Sequence, residues 1–227
     1  MECRAKVPRV PPMVIRVVAI LVMLGPFSVS LFAQTPPEPL NFGAAFTLFQ
    51  GQGADVNLPD IPKTALRGDL IWENAHFIGV HYQRLLYPIP GFRLIPFPYV
   101  IKGLRLELEG QATRHWGLQH NGEVHVALAL RTQDFNPFLN LGFNLAYADG
   151  ISHALSTPTY EDGPGGGRTG ARYATQHYIG IELALGWLTH PAWQVIGRIH
   201  HRSGIWGIFA PQGVGSNFFT LGLRWRY

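Results

Sequence analysis

The chain has 227 residues, 47% of them hydrophobic and 14% charged, with a formal net charge of +4 at pH 7. That length holds one domain or at most two. The positive charge is concentrated at the start, where residues 1–33 carry Arg4, Lys6, Arg9 and Arg16 against Glu2 alone. Beyond them basic and acidic residues nearly cancel, which argues against nucleic acid as the partner.

From the N-terminus, a basic region to Arg16 precedes the apolar run Val17–Leu24, and a cleavage site is expected after Ala33. Residues 1–33 are therefore expected to be a secretory signal peptide and 34–227 the exported domain. A retained anchor is less favoured, because Gly25-Pro26 interrupts the run and the Pro-rich "QTPPEPL" follows at once. The only cysteine, Cys3, precedes the apolar run, so it is not a lipoprotein acylation site and the mature chain has no disulfide to form.

No later segment is long and apolar enough for a transmembrane helix. Apolar residues instead recur at every second position over segments of about ten residues, as in a membrane β-barrel. Strands are predicted near 42–49, 69–83, 101–111, 123–132, 138–148, 174–187, 192–203 and 217–227. In "LRLELEG", Leu104, Leu106 and Leu108 alternate with Arg105, Glu107 and Glu109. "HYIGIELALGW" sets Ile179, Ile181, Leu183, Leu185 and Trp187 against Tyr178, Gly180, Glu182 and Gly186. The last segment puts Phe219, Leu221, Leu223, Trp225 and Tyr227 on one face, with Thr220, Gly222, Arg224 and Arg226 on the other. Its terminal aromatic resembles the insertion signal of bacterial outer-membrane barrels, which implies the outer-membrane insertion machinery as a partner.

The predicted fold is all-β, an eight-stranded antiparallel transmembrane β-barrel in the bacterial outer membrane, with large apolar residues facing lipid and small or polar ones filling a narrow lumen. A soluble lipocalin-like barrel would need all those Leu, Ile and Trp inside eight strands. Arg105, Glu107, Glu109, Glu182, Arg198, Arg202, Arg224 and Arg226 share the inward face and are expected to form a mutually neutralising plug. Trp116, Trp187, Trp193, Trp206 and Trp225 are expected as interfacial anchors. Long outer loops are predicted near 50–68, 112–122, 149–173 and 204–216. The Pro-rich Leu85–Tyr99 is long for a periplasmic turn, and "EDGPGGGRTG" (Glu161–Gly170) lacks the context of a phosphate-binding loop.

The parity of the seventh predicted strand directs Arg198, His200 and Arg202 inward. His201 and Ser203 continue the outward row Trp193, Val195, Gly197, Ile199 at the extracellular end. Residues i and i+2 of a strand share a face about 7 Å apart, so a histidine there can act as general base to a serine. Asn217 on the last strand has the same outward parity and is placed to orient the imidazole. Among the ten histidines, His115 and His120 are expected in an outer loop and His200 and His201 on opposite faces. No metal ligand set is predicted.

An exported barrel of this size with His-x-Ser near its C-terminus resembles the PagL-type lipid A 3-O-deacylases. The resemblance implies an outer-membrane esterase that hydrolyses an ester-linked acyl chain of lipid A, the lipid anchor of lipopolysaccharide. It makes Ser203 the nucleophile and His201 the base, with no cofactor. The chain departs from that family beyond the serine, where the family has a carboxylate and "QGVGSN" offers no acid. Asn217 as an uncharged orienter, or Glu161 folding over the strand end, would stand in for it. The alternative function is a non-catalytic outer-membrane barrel with a structural or surface-binding role. Neither reading specifies an oligomeric state.

Overall fold

The computed structural model describes residues 42–93, 100–138, 140–162, 172–205, 207–211 and 213–227. The expected signal peptide lies outside the described residues, as do Leu139, Trp206, Gln212 and most of the glycine-rich loop. Nine strands are described: β1 (Ala44–Ala54), β2 (Trp72–Arg93), β3 (Val100–Gly117), β4 (Gly122–Arg131), β5 (Phe135–Phe138), β6 (Leu141–Ala154), β7 (Thr175–Trp187), β8 (His190–Ser203) and β9 (Gly215–Arg226). Every pairing is antiparallel; β1 pairs with β9 and β4 with β6. These two pairings close a ring of eight strands, with the short β5 appended to β6. A closed ring leaves no strand edge to satisfy in hydrocarbon.

The faces follow the predicted parity. In β4 the burial alternates residue by residue, with Val126 62% exposed and His125, Ala127 and Ala129 buried. Leu48, Leu128, Leu145, Leu221 and Leu223 are likewise exposed. A belt so apolar, around an interior so polar, is the partition of a protein whose solvent is lipid. Trp187, Trp193, Trp225 and Tyr227 stand on the outer wall near the terminal end of the barrel, and Trp116 near the opposite end, stacked on His76.

Two expectations about connections are corrected. The β2–β3 pairing does not stop at the Pro-rich segment: it runs on to Arg93↔Val100, after a register shift between Leu85 and Tyr87. The irregularity accommodates Pro88, which has no N–H to give the ladder, near the strand's end. The other correction is the long loop predicted near 112–122. Strand β3 continues to Gly117 and turns within four residues into β4, so His115 is not a loop residue but a buried luminal one. Long connections after β1, β6 and β8 remain at the end opposite the termini. The first contains α1 (Ile61–Arg67), capped by Gly68 in the left-handed region (φ 74°).

The lumen is filled by charge. Glu182 receives Arg131 at 2.7 Å, Arg198 at 2.9 Å and Arg224 at 2.7 Å. Arg131 also bonds Glu107 at 2.9 Å, and Arg198 holds both oxygens of Glu109 at 3.0 and 2.9 Å. Buried charges are tolerable only when paired this fully. The predicted plug is present, enlarged by Arg131 and, nearer the end opposite the termini, by Glu123 and Glu161. Small residues make room for it: a Cβ on Gly180 would lie 2.6 Å from the Tyr178 hydroxyl.

Candidate active site

Strand β8 carries two histidines in succession, and the pleat sends them to opposite sides of the wall. His200 is fully buried in the lumen, its Nε2 2.9 Å from Glu123. His201 and Ser203 are half-buried on the outer face. Beside them on that face run Ile199, Ile179 and Phe219, so the polar pair tops an apolar strip of wall.

In the ladder His201 pairs with Asn217 of β9, and its Nδ1 lies 2.8 Å from Asn217 Oδ1. Asn217 is buried, and its amide nitrogen donates to the Val56 carbonyl at 2.6 Å. That second bond settles the proton. With Nδ2 spent on Val56, the amide oxygen faces His201 and can only accept. His201 therefore carries its hydrogen on Nδ1 and keeps a lone pair on Nε2. The segment after β1 thus serves as a strap that fixes Asn217, a contact between distant parts of the chain that strand parity does not reveal.

The expected group behind the imidazole is present. The expected hydrogen bond from the Ser203 hydroxyl to His201 is not made: among the described residues Ser203 has no side-chain partner. Catalytic hydrogen bonds are often long before substrate arrives. Opposite Ser203 on β9 stands Gly215, where a Cβ would fall 2.1 Å from the Arg202 carbonyl. Only glycine fits there, and it leaves that flank of the serine uncovered. Just beyond the serine Ile205 has φ 42°, a sparsely populated conformation for a β-branched residue.

Glu161 does fold over the strand end, but into the barrel. It is fully buried, bonded to Arg202 and Gln176 and, at 3.1 Å, to Ser216. Arg202 and Ser216 belong to the inward rows, so Glu161 is on the wrong side of the wall to orient His201. It is an ion-pair member of the plug.

Two residues that the linear reading passed over share the outer face. His177 of β7 is the direct cross-strand partner of Ser203. Its Nε2 lies 3.0 Å from Asp149 Oδ1, and its Nδ1 is buried without a hydrogen-bond partner. The other oxygen of Asp149 accepts from the Tyr147 hydroxyl at 3.0 Å. Outward parity was readable for His177, whereas Asp149 fell in the outer loop expected near 149–173. Strand β6 instead runs on to Ala154 and carries it, and their meeting depends on the register of β6, β7 and β8.

Inside the barrel the histidines assemble in a way that sequence spacing also hid. His81, Glu109 and His125, and likewise Glu123, His125 and His200, bring one potential ligand atom each to within 4.8 Å of one another. Arg198 already occupies both oxygens of Glu109, and Glu123 is held by His115, His200 and Ser152. Those carboxylates are serving the plug.

No protein-family model and no curated protein matches this sequence. Solved structures do. The outer membrane enzyme PagL superposes with a TM-score of 0.51 at 9% identity, over 79% of this chain and 97% of that one. Neisserial surface protein A (NspA) gives 0.44 at 9% identity over 82% and 97%, and the N-terminal β-barrel domain of Pseudomonas aeruginosa OprF 0.41 at 10% over 82% and 98%. At these identities the likeness is one of fold. The chain has the fold of the eight-stranded bacterial outer-membrane barrels, and its wall is built for that membrane.

Proposed function

We propose that this barrel is an outer-membrane esterase that removes an ester-linked acyl chain from lipid A in the outer leaflet. The observation that carries the reading is the outward-facing Ser203 at the extracellular end of β8, beside an imidazole whose Nδ1 is held by Asn217. In this reading Ser203 attacks the acyl carbonyl and an adjacent imidazole takes its proton, the part the resemblance gives to His201. Asn217 holds the ring without supplying charge, so it stabilises imidazolium less than a carboxylate would. The apolar strip of Ile179, Ile199 and Phe219 supports the reading, since an acyl chain lying against it would bring its ester linkage to the polar rim. The fold likeness to an outer-membrane enzyme agrees with this. Residues 1–33 are proposed to direct export, and the terminal strand to engage the insertion machinery.

The test is hydrolysis of purified lipopolysaccharide by the refolded full barrel, with released fatty acid quantified. Release by the intact protein, lost in Ser203→Ala and lowered about tenfold or more in His201→Ala, is the expected result. A folded barrel that releases nothing would overturn the reading. The competing assignment is a non-catalytic barrel acting through its surface. The unmade His201–Ser203 bond favours it, and on that assignment Ser203→Ala changes no lipid.

A further inference from the structure

The chain lacks an acid where the resemblance would place it on the far side of His201, and the outer wall supplies one from the opposite direction. Three neighbouring strands contribute one residue each: Asp149 from β6, His177 from β7 and Ser203 from β8. All three have outward parity. His177 and Ser203 are directly opposed in the β7–β8 ladder, which puts their α-carbons about 4.5–5.5 Å apart. His201, two residues back on the same strand, is farther from the serine at about 7 Å.

The protonation pattern suits the task. A carboxylate can only accept, so the 3.0 Å contact from His177 Nε2 to Asp149 Oδ1 puts the ring hydrogen on Nε2. The other nitrogen, Nδ1, then carries a lone pair, and it is the atom left buried and unpartnered. His177 is 9% exposed, and a buried acceptor with nothing to accept is a costly feature that calls for an explanation. Asp149 is itself steadied by Tyr147, and Phe209 from the loop after β8 lies parallel to the His177 ring at 6.4 Å. The ring is thus anchored through Asp149.

We propose that Asp149 and His177 form a carboxylate–imidazole pair that serves Ser203 from the flank opposite His201. Asp149 supplies the negative charge that Asn217 cannot. The inference rests on the esterase reading and deepens it. As Ser203 Oγ bonds to the acyl carbonyl carbon, its proton passes to His177 Nδ1 and the carbonyl π pair moves onto oxygen. Collapse of that adduct expels the sugar alkoxide, which takes the proton from Nδ1 and leaves as the alcohol, with the acyl group on Ser203. Water then attacks the acyl-serine and gives its proton to Nδ1. Expulsion of Oγ, reprotonated from Nδ1, releases the fatty acid. Asp149 offsets the charge of the imidazolium in each half and acts as a positioning residue.

The experiment uses the refolded full-length barrel in detergent micelles and two probes. An alkyl fluorophosphonate phosphonylates an activated serine, and intact-mass and peptide mass spectrometry give its rate and site. The dodecanoyl ester of p-nitrophenol gives kcat and KM. Heat-modifiable gel mobility checks that each variant is folded. The expected result is labelling at Ser203, absent in Ser203→Ala, and slowed about 100-fold in both His177→Ala and Asp149→Asn. His201→Ala should be slowed less. In Asp149→Asn the loss should fall on kcat with KM little changed, and imidazole added to His177→Gly should restore labelling, which a merely structural histidine would not permit. If Ser203 is labelled and Ser203→Ala is inert, but His177→Ala and Asp149→Asn stay within about threefold of the parent, the pair is overturned and the esterase reading stands. If the folded parent is neither labelled nor active on the ester, both fall.

Discussion

His200 and His201 are one peptide bond apart and live in different solvents. On the luminal side His200 is sealed against Glu123 in a lattice where every carboxylate has a cation or donor in reach. On the outer side His201 leans on a neutral amide, with a serine two residues along that has no side-chain partner among the described residues. His200 has both ring nitrogens engaged, by Glu123 and Gln111, whereas the outer site keeps a nitrogen and a hydroxyl in reserve.

That contrast can be broken in four places, starting with the largest effect. Replacing Ser203 by alanine should lower deacylation by about 1,000-fold or more, while the unfolding free energy in urea shifts by no more than about 0.5 kcal/mol. Equal losses of stability and activity would erase the distinction. The luminal counterpart is Glu182→Ala, which strands Arg131, Arg198 and Arg224 around one missing carboxylate. It should cost about 3–5 kcal/mol in the same unfolding measurement, with the folded fraction retaining its specific activity.

The adjacent histidines give the sharpest pairing. His200→Ala should cost about 1–3 kcal/mol of stability by removing a donor from Glu123 and leave turnover per folded molecule unchanged. His201→Ala should do the reverse, lowering turnover about tenfold at nearly constant stability. Fluorescence-monitored unfolding and steady-state assays on the same preparations decide it. The smallest effect is expected from Asn217→Ala. It removes one orienting hydrogen bond of about 1 kcal/mol, so turnover should fall by less than about tenfold, with KM unchanged.

Much of this architecture was legible because a strand has a period of two. Alternation alone placed Arg105, Glu107, Glu109, Glu182, Arg198, Arg202, Arg224 and Arg226 inside and His201, Ser203 and Asn217 outside, and the His201–Asn217 contact follows from adjacent strands carrying matching parity. What alternation cannot give is register or strand length. Pro88 sits in a strand because a register shift near the sheet's end tolerates it, so β2 outran its prediction. Glu161 folding over the strand end was one of two expected stand-ins for the missing acid, but which side of the wall it would enter depends on Arg202, whose demand for a counter-charge draws it inward. His177 had readable parity, but Asp149 fell in an expected loop because β6 runs past its predicted end, and their convergence on Ser203 is a product of the β6–β7–β8 offsets. The strap from Val56 to Asn217 is tertiary in the same sense, a loop carbonyl meeting a residue far along the chain.

The most direct measurement of the central claim is the mass of lipid A from cells displaying the intact barrel, compared with cells displaying Ser203→Ala at equal folded levels. The account predicts a species lighter by one ester-linked acyl chain with the intact barrel and none with the variant. Identical lipid A from both, with both barrels folded in the outer membrane, would contradict it.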